Sequence, residues 1–249
     1  MPGISPANIA FQPSTGLFYG LGSQHLYTIN TTTGAAAQVG SSLSQTFGGT
    51  QVGFGFDPVT GLIHIVRCST QANLVMDPKT GGITTGTPVA FGSGDVNAGS
   101  TPWVGGVAFS NNHAGADSAT MYDLSVSGEL ATLATQDQNT GALSTVGSSG
   151  SGFAGSPVGF TISSTGLAFA ALQLNQIDPG NTRLYSEDLA TGQLSFADVI
   201  GGDNNLDNVK SIAISVTAVP EPVSLAMFGL AMTSLTTRPR GRHTKQAEV

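Results

Sequence analysis

Short apolar segments alternate with polar turns through most of this chain. The first group of segments lies at 9–12, 17–20, 26–30 and 37–40, and similar groups begin near residues 53, 105 and 158. Each group covers roughly 45–50 residues and predicts four strands of about five residues. That period and that strand count are typical of β-propeller blades. The pattern therefore predicts an all-β repeat protein.

Thr-Gly pairs mark the turns, and an Asp or Asn often stands three residues before the threonine. Glycine suits turn positions with positive φ, and the short carboxylate side chains cap such turns. We therefore interpret Asp57 and Asp77 as turn caps. Two alternatives remain, because Asp57, Asp77, Asp123 and Asp137 all stand near predicted strand ends, which a propeller gathers around its channel. They would form a structural calcium site or a glycosidase-like acid and base pair.

Composition agrees with many short strands and turns. The chain has 249 residues, of which 34 are glycine, 9% are charged and 39% are hydrophobic. Residues 1–237 hold four basic and fourteen acidic side chains, a net charge of −10, whereas residues 238–249 carry +3. A body this acidic excludes nucleic acid as a partner. Cys68 is the single cysteine, so an intrachain disulfide is excluded, and we expect it to be buried.

An ordered series of motifs makes the pattern specific. It includes FQPSTGLFYGLGSQHLYTINTTTG, GFGFDPVTGLIHIVR, LATLATQDQNTGALSTVG and GFTISSTGLAFAAL. In this order the motifs resemble the DUF4394 family over about residues 4–216. The resemblance implies a bacterial, propeller-like domain over residues 1–216, often followed by a PEP-CTERM tail. The family defines no catalytic residues to assign here.

One apolar segment, at 209–216, follows the fourth group by itself. In closed propellers a terminal strand commonly completes a blade begun at the other end of the chain. We therefore predict about five four-stranded blades, the fifth represented by its innermost strand. The start of the chain, Met1 to Ile4, has neither the basic nor the apolar region of a signal peptide. For an exported protein this is inconsistent, so we expect the chain to be truncated at its start.

The last residues, 217–249, form a second predicted region with three parts. The box Val219, Pro220, Glu221 and Pro222 precedes an apolar stretch at 223–237, and the basic cluster Arg238, Arg240 and Arg242 follows it. The proline residues exclude a helix through the box. A helix over 223–237 would be ~22 Å long at ~1.5 Å per residue, shorter than a hydrocarbon core of ~30 Å. It is predicted as a short, transmembrane-like helix.

This arrangement resembles the PEP-CTERM sorting signal of Gram-negative bacteria, which an exosortase-type membrane protease reads and removes. Basic residues beside a membrane segment favour the cytoplasmic side, so the body would lie across the inner membrane. The resemblance implies transient tethering through 223–237, followed by display at the cell surface or release. The alternative is that the C-terminal stretch forms an amphipathic helix packed on the domain.

The remaining candidate chemistry has mainly structural interpretations. Four histidines, at 25, 64, 113 and 243, lack zinc-ligand spacing. Arg67 is expected to pair with an aspartate of a neighbouring blade, and the Gly94–Asn97 segment is a weaker cation candidate. Glycine-rich segments at 91–99 and 147–155 are expected to be loops. Trp103 and the tyrosines at 19, 27, 122 and 185 would suit a sugar platform, but core packing explains recurring aromatics better.

The function that these patterns predict is that of an exported, non-catalytic propeller in the extracellular matrix, where polysaccharide is an expected partner. No catalytic residue, resident metal or cofactor is assigned. One alternative is a carbohydrate-active hydrolase or lyase with its site in the central channel. The other is an adhesion module stabilised by structural calcium.

Overall fold

A computed structural model describes residues 8–48, 51–174, 182–200 and 209–215. In these ranges the chain forms seventeen strands and no helix, so the all-β prediction is confirmed. No helix there is long and apolar enough to cross a membrane. The box at 219–222, the apolar stretch at 223–237 and the arginines at 238, 240 and 242 lie outside the described residues, and so does the predicted tail helix.

The strands form four antiparallel sheets arranged like propeller blades. Within a blade, each strand pairs with the next along the chain, as the repeat predicted. Blade 1 contains β1 (Asn8–Gln12), β2 (Leu17–Leu21), β3 (Leu26–Ile29) and β4 (Ala36–Val39). Blade 2 contains β5 (Val52–Phe56), β6 (Ile63–Arg67), β7 (Asn73–Met76) and β8 (Ile83–Thr85).

Blades 3 and 4 have longer strands. Blade 3 contains β10 (Val104–Phe109), β11 (Met121–Ser127), β12 (Leu130–Gln136) and β13 (Ala142–Ser151), with the short β9 (Ala90–Phe91) parallel to β13 at its edge. Blade 4 contains β14 (Phe153–Ile162), β15 (Ala168–Leu174), β16 (Thr182–Glu187) and β17 (Leu194–Val199). The segment at 147–155 is therefore mostly strand, because β13 and β14 extend to ten residues each. The expected loop is wrong there.

Three apolar clusters fill the spaces between successive blades. Strand alternation sends neighbouring residues of one strand into different clusters. In β11, Met121 packs between blades 2 and 3, whereas Leu124 packs between blades 3 and 4. Both side chains are buried completely or nearly so. This two-sided burial explains why the strands do not alternate cleanly between apolar and polar residues.

Glycines allow the innermost strands of adjacent blades to approach closely. A Cβ atom at Gly55 of β5 would lie 2.8 Å from the carbonyl oxygen of Val107 in β10. A Cβ atom at Gly105 of β10 would lie 2.7 Å from the Cβ of Val158 in β14. Side chains at these positions would force the blades apart. Among the inner strands β1, β5, β10 and β14, the glycines therefore set how tightly β10 packs against β5 and β14.

Residues 209–215 lie between β14 and β1, next to both of these inner strands. Ser211 Oγ hydrogen-bonds the backbone of Ile9 in β1, and a Cβ at Gly159 of β14 would lie 3.0 Å from the backbone nitrogen of Ile212. The segment is not a regular strand, so the strand predicted at 209–216 is wrong over the described residues. Among the described residues, no strand pairs with this segment through a ladder of backbone hydrogen bonds.

The segment that joins blades 2 and 3 is ordered by one carboxylate. Asp95 Oδ2 accepts a hydrogen bond of 2.6 Å from the Thr145 amide of β13, and Asp95 Oδ1 accepts one of 2.7 Å from the Thr145 hydroxyl. The Asn97 amide donates to Asp95 Oδ1 as well. These hydrogen bonds hold the segment at 91–99 against blade 3. The Asp95 carboxylate, a candidate cation ligand in the sequence, therefore binds β13 instead.

Candidate functional site

A small cavity lies where the four inner strands end. The ends of the four inner strands and residues 212 and 213 surround a cavity of about 20 Å³. A volume of this size holds about one water molecule. Five phenylalanines from all four blades contribute to its lining: Phe11, Phe54, Phe56, Phe109 and Phe160. The cavity at this end of the inner strands therefore has no room for a sugar ring.

Two amide side chains fasten the inner strands together at opposite ends of the axis. Where these strands begin, Gln51 Nε2 donates to the carbonyl oxygens of Gly105 and Val158, at 3.2 and 2.9 Å. Where they end, Asn112 Nδ2 donates to the Ile162 carbonyl oxygen at 2.9 Å. These bonds join blades 2, 3 and 4.

The aspartates before the Thr-Gly pairs cap their own turns, as predicted. Asp57 Oδ1 accepts the Val59 amide at 2.9 Å, and its Oδ2 accepts the Thr60 hydroxyl at 2.9 Å. Asp77 and Asp137 repeat the arrangement with their own following residues. The backbone amide of Lys79 donates to the Asp77 carboxylate, and the amides of Thr140 and Asn139 donate to the Asp137 carboxylate. These hydrogen bonds hold the pKa of each aspartate below its ordinary value.

Asp123 differs from the other aspartates, because it lies inside β11 and caps no turn. Its side chain is fully buried, and neither carboxylate oxygen has a hydrogen-bond partner among the described residues. It follows Met121 by two residues, so it points toward blade 2. Burial raises the pKa of Asp123 well above its ordinary value. The prediction that Asp123 stands near a strand end with the turn aspartates is wrong.

A second buried carboxyl lies between blades 3 and 4. Glu187, at the end of β16, is 5% exposed, and its Oε1 accepts a hydrogen bond of 2.6 Å from the Ser149 hydroxyl of β13. Its Oε2 is buried without a partner in the described part of the chain. Burial raises the pKa of Glu187 to about 7, against the lowering effect of the Ser149 hydrogen bond.

The two buried carboxyls lie at different blade boundaries and do not form a pair. His64 belongs to the boundary between blades 2 and 3, where its ring meets Phe109 edge-on at 5.3 Å. Burial lowers the pKa of His64, although the charge of Asp57 acts in the opposite direction. Among the described residues, no three His, Cys, Asp or Glu side chains come together in a way that could hold a metal ion.

Among the described residues Arg67 meets no aspartate, and the predicted ion pair is not found there. Its Nη2 donates to the Thr46 carbonyl at 2.8 Å and to Gln45 Oε1 at 3.3 Å, and the guanidinium lies over the Phe47 ring at 4.6 Å. The loop after blade 1 folds over the end of β6 and buries Phe47 in the first cluster. Arg67 therefore meets this loop before it can reach another blade.

Cys68 and the tyrosines behave as core residues. Cys68 is 2% exposed, its thiol donates to the Val104 carbonyl, and burial raises its pKa to about 12. Tyr19 and Tyr185 belong to interblade clusters, and Tyr19 meets Phe56 at 5.0 Å. Core packing therefore explains the recurring tyrosines. Trp103 is partly exposed, without another aromatic ring among its described contacts.

A groove of about 670 Å³ opens on blade 3, at the end of the molecule that carries the Thr-Gly turns. The groove is shallow and open to solvent. Amides and hydroxyls dominate the lining, with a small apolar floor that includes Met121 and Ala142. The polar lining residues are Thr120, Thr135, Gln136, Asp137, Gln138, Asn139 and Ser144.

This groove carries no cationic side chain, and its single carboxylate is already engaged. Asp137 Oδ1 accepts the backbone amides of Asn139 and Thr140 at 2.8 and 3.1 Å. Gln138 is half-buried and Asn139 is exposed, so both can present amide groups to a ligand. In the corresponding turn of blade 4, Leu189 and Ala190 occupy the equivalent positions. A neutral ligand with many hydroxyl groups fits this surface best.

Sequence reasoning missed Glu187, Ser149 and the groove. Glu187 directly precedes a turn-capping aspartate, so it looks like part of a solvated turn. Because β13 is ten residues long, Ser149 still lies within this strand and can contact Glu187, which is buried. For Asp123 a signal existed, since it occupies an inward position two residues after Met121 in an apolar strand. The groove has no signal in the sequence beyond an amide pair at 138–139.

Comparisons with known proteins define the family but not the activity. The model of a family described as "Domain of unknown function (DUF4394)" matches residues 3–213. No curated protein matches the chain. A solved structure titled "Kuenenia stuttgartiensis Hydrazine Synthase" is similar, with 14% identity and a TM-score of 0.47, over 80% of this chain and 50% of that chain.

A structure titled "Crystal Structure of Mitotic Checkpoint Complex" is also similar, at 14% identity and a TM-score of 0.40, over 78% of this chain and 51% of the other. This chain thus spans about half the length of the chains in both structures. At these TM-scores, neither likeness bears on the function.

Proposed function

Because this chain belongs to the DUF4394 family, which is defined by its domain rather than by an activity, we propose from its geometry that it is an exported, non-catalytic propeller that binds carbohydrate. The single observation that supports this most is the groove on blade 3. It offers neutral donors and acceptors on an open, shallow surface against which sugar rings could lie. The extracellular polysaccharide of the matrix is the proposed ligand.

The proposed protein is non-catalytic because the cavity at the centre of the ring offers neither free carboxylates nor space for a substrate. A hydrolase or lyase in the central channel would need convergent carboxylates and room for a sugar. The cavity there holds about one water, and Asp57, Asp77 and Asp137 are engaged in their own turns. The adhesion module stabilised by calcium is the other alternative, and the same experiment separates it from the proposal.

The ring in this proposal has five sectors. Residues 209–215 lie beside β14 and β1, where the innermost strand of a fifth blade would stand. The polar link from Ser211 to Ile9 and the close approach of Ile212 to Gly159 support this position. The proposal therefore assigns residues 209–215 to a fifth sector of the ring.

Export is the part of the proposal that depends on the tail. The box at 219–222 is proposed as the recognition site of an exosortase-type membrane protease of a Gram-negative bacterium. Residues 223–237 would tether the protein to the inner membrane until cleavage, with Arg238, Arg240 and Arg242 on the cytoplasmic side. After cleavage the body would remain at the cell surface or be released.

A glycan-array screen of the full chain, with calcium and with EDTA, tests the binding function. The variant Gln138→Leu with Asn139→Ala copies the turn of blade 4 and keeps the Asp137 cap. We expect it to lose glycan binding, whereas Lys79→Ala in the equivalent turn of blade 2 keeps it. Equal binding by both variants would place the site elsewhere. Binding only with calcium, and insensitive to both variants, would favour the adhesion module.

Export is tested separately in a bacterium that contains an exosortase-type protease. Pro220→Ala with Pro222→Ala should leave uncleaved protein in the inner membrane, because the box is no longer recognised. Thr236→Ala, in the same tail but outside the box, should be cleaved and exported normally. Surface display of the double variant at the level of the unaltered chain would contradict the proposal.

A further inference from the structure

The cavity at the end of the inner strands has the size of a single small ligand. All four blades and the segment at 209–215 contribute to its wall, and its volume is about 20 Å³. A cavity of at least ~10–15 Å³ holds one water molecule where two to four polar groups line it. What the cavity binds therefore depends on which polar groups face it.

Backbone groups of the inner strands turn toward this cavity. In the described part of the chain, neighbouring inner strands share no ladder, since each pairs only with the second strand of its own blade. Residues that face an antiparallel partner alternate with residues that face away from it. The bonds from Ser211 to Ile9 and from Asn112 to Ile162 identify residues that face away from the ladders of β1 and β14.

The same alternation identifies the other residues that face away from their ladders. The amides of Asp57 and Ser110 donate to residues just before β6 and β11, so the residues one and three positions earlier face the other way. The lining residues identified by this alternation are Phe11, Phe54, Phe56, Val107, Phe109, Phe160 and Ile162. Each of them brings a backbone donor and a backbone acceptor, so the wall contains both kinds of group.

Asn112 adds an acceptor that is not yet used. Its side chain lines the cavity and is 9% exposed, and its Nδ2 donates to the Ile162 carbonyl oxygen at 2.9 Å. The Oδ1 atom is buried, with no hydrogen-bond partner among the described residues. A buried acceptor without a partner costs free energy, which a donor bound beside it would recover.

We propose that the cavity is a binding site for one ordered water molecule, which donates to Asn112 Oδ1 and bridges inner strands of different blades. Water suits a wall of mixed polarity because it both donates and accepts hydrogen bonds. Backbone amides would repel a metal cation, and the carbonyl groups with Asn112 Oδ1 would repel an anion. The water thus connects strands that share no ladder.

A high-resolution crystal structure of the full chain tests the site. We expect one density peak at about 2.5–3.2 Å from Asn112 Oδ1 and from at least one backbone group of an inner strand. An empty cavity would overturn the inference, and so would a peak with contacts of about 2.3–2.6 Å to oxygen atoms alone, which calcium makes. Crystals grown in rubidium chloride and in sodium bromide should show no anomalous signal there. A signal of either ion would assign the cavity to an ion instead.

Two variants of Asn112 isolate its Oδ1 atom. Asn112→Asp and Asn112→Leu both lose the bond from Nδ2 to the Ile162 carbonyl, but only the aspartate keeps an oxygen acceptor. The peak should persist in Asn112→Asp and disappear in Asn112→Leu. The same peak in both variants would show that Asn112 does not bind the water and would overturn the assignment. If a variant does not fold, the unaltered chain decides the question through its density and the two salt experiments.

Discussion

The Ser149 hydroxyl donates a 2.6 Å hydrogen bond to the buried Glu187 carboxyl across the boundary between blades 3 and 4. The second oxygen of that carboxyl has no partner among the described residues. One hydrogen bond does not offset the cost of burying a negative charge, so the pKa of Glu187 rises to about 7. The boundary between these blades therefore contains a group that titrates near neutral pH.

The stability of the protein should fall between about pH 4.5 and pH 7 because of Glu187. Its folded pKa is about 7, above the ordinary value of 4.5, so the native state binds the proton more tightly than the unfolded state does. The stabilisation is complete below pH 4.5 and is lost as the pH rises through 7. The loss amounts to about 3 kcal/mol at most.

Glu187→Gln removes this titration and keeps the shape of the side chain. In urea unfolding at several pH values, the variant should show a flatter dependence of the free energy of unfolding on pH than the unaltered chain. Its advantage should be greatest above pH 7. Parallel pH curves for the two proteins would show that Glu187 has a partner that keeps it charged at little cost.

Asp123→Asn should stabilise the protein at neutral pH. The raised pKa of Asp123 means that its stabilising protonated form is complete below the ordinary value of 3.8 and is lost as the pH rises through the folded pKa. Asparagine has the same shape without the charge, so we expect a gain of about 1–3 kcal/mol at pH 8. Thermal unfolding at pH 8 and pH 4 measures it.

At pH 4 the Asp123→Asn variant and the unaltered protein should unfold at nearly the same temperature. Asp117→Asn, at an exposed loop position, should change neither curve and serves as the control. A lower melting temperature for Asp123→Asn at pH 8 would mean that the carboxylate is bound to a cation.

Asp95→Asn should loosen the link between β9 and β13. Burial raises the pKa of Asp95, but hydrogen bonds from Thr145 and Asn97 outweigh this effect, and the pKa lies below its ordinary value. The carboxylate therefore stabilises the fold above the ordinary pKa of 3.8, and this contribution is lost as the pH falls through the folded pKa.

We expect Asp95→Asn to cost about 1 kcal/mol near pH 7, since the site is partly exposed to solvent. Amide hydrogen exchange at Thr145 should become faster, because that amide donates the 2.6 Å bond to Asp95. Asp137→Asn, at an exposed turn, provides the comparison, and exchange at Thr145 should not respond to it. Unchanged exchange at Thr145 in Asp95→Asn would show that Asp95 does not hold this part of β13 in place.

Gly55→Ala should destabilise the ring. The added methyl group would lie 2.8 Å from the Val107 carbonyl oxygen, which belongs to the backbone of the next inner strand and cannot rotate away. Overpacking of this kind costs about 1–3 kcal/mol. Gly94→Ala meets no atom within 4 Å and should leave the urea midpoint unchanged. Similar midpoints for the two variants would show that the inner strands can separate freely.

Much of the architecture was predictable, because its causes lie close together along the chain. A glycine at positive φ after a threonine, with an aspartate to cap the turn, determines a hairpin within five residues, as at Asp57–Gly61. Repetition of these hairpins predicted the sheets, their strand order and the capping role of Asp57. The groove could not be predicted, because Thr120 and Asn139 line the same surface only after β11, β12 and β13 have paired.

What the sequence alone determined is the four blades that the structure describes and the residues that end most of their strands, since local backbone preferences and the apolar period suffice for both. The tertiary structure decided which polar groups are buried. Nothing near Asp123 or Glu187 in the chain distinguishes a solvated carboxyl from a desolvated one, because the desolvation comes from the neighbouring blade. It also decided how the inner strands of blades 2, 3 and 4 are linked, since Gln51 and Asn112 reach carbonyl groups more than forty residues away.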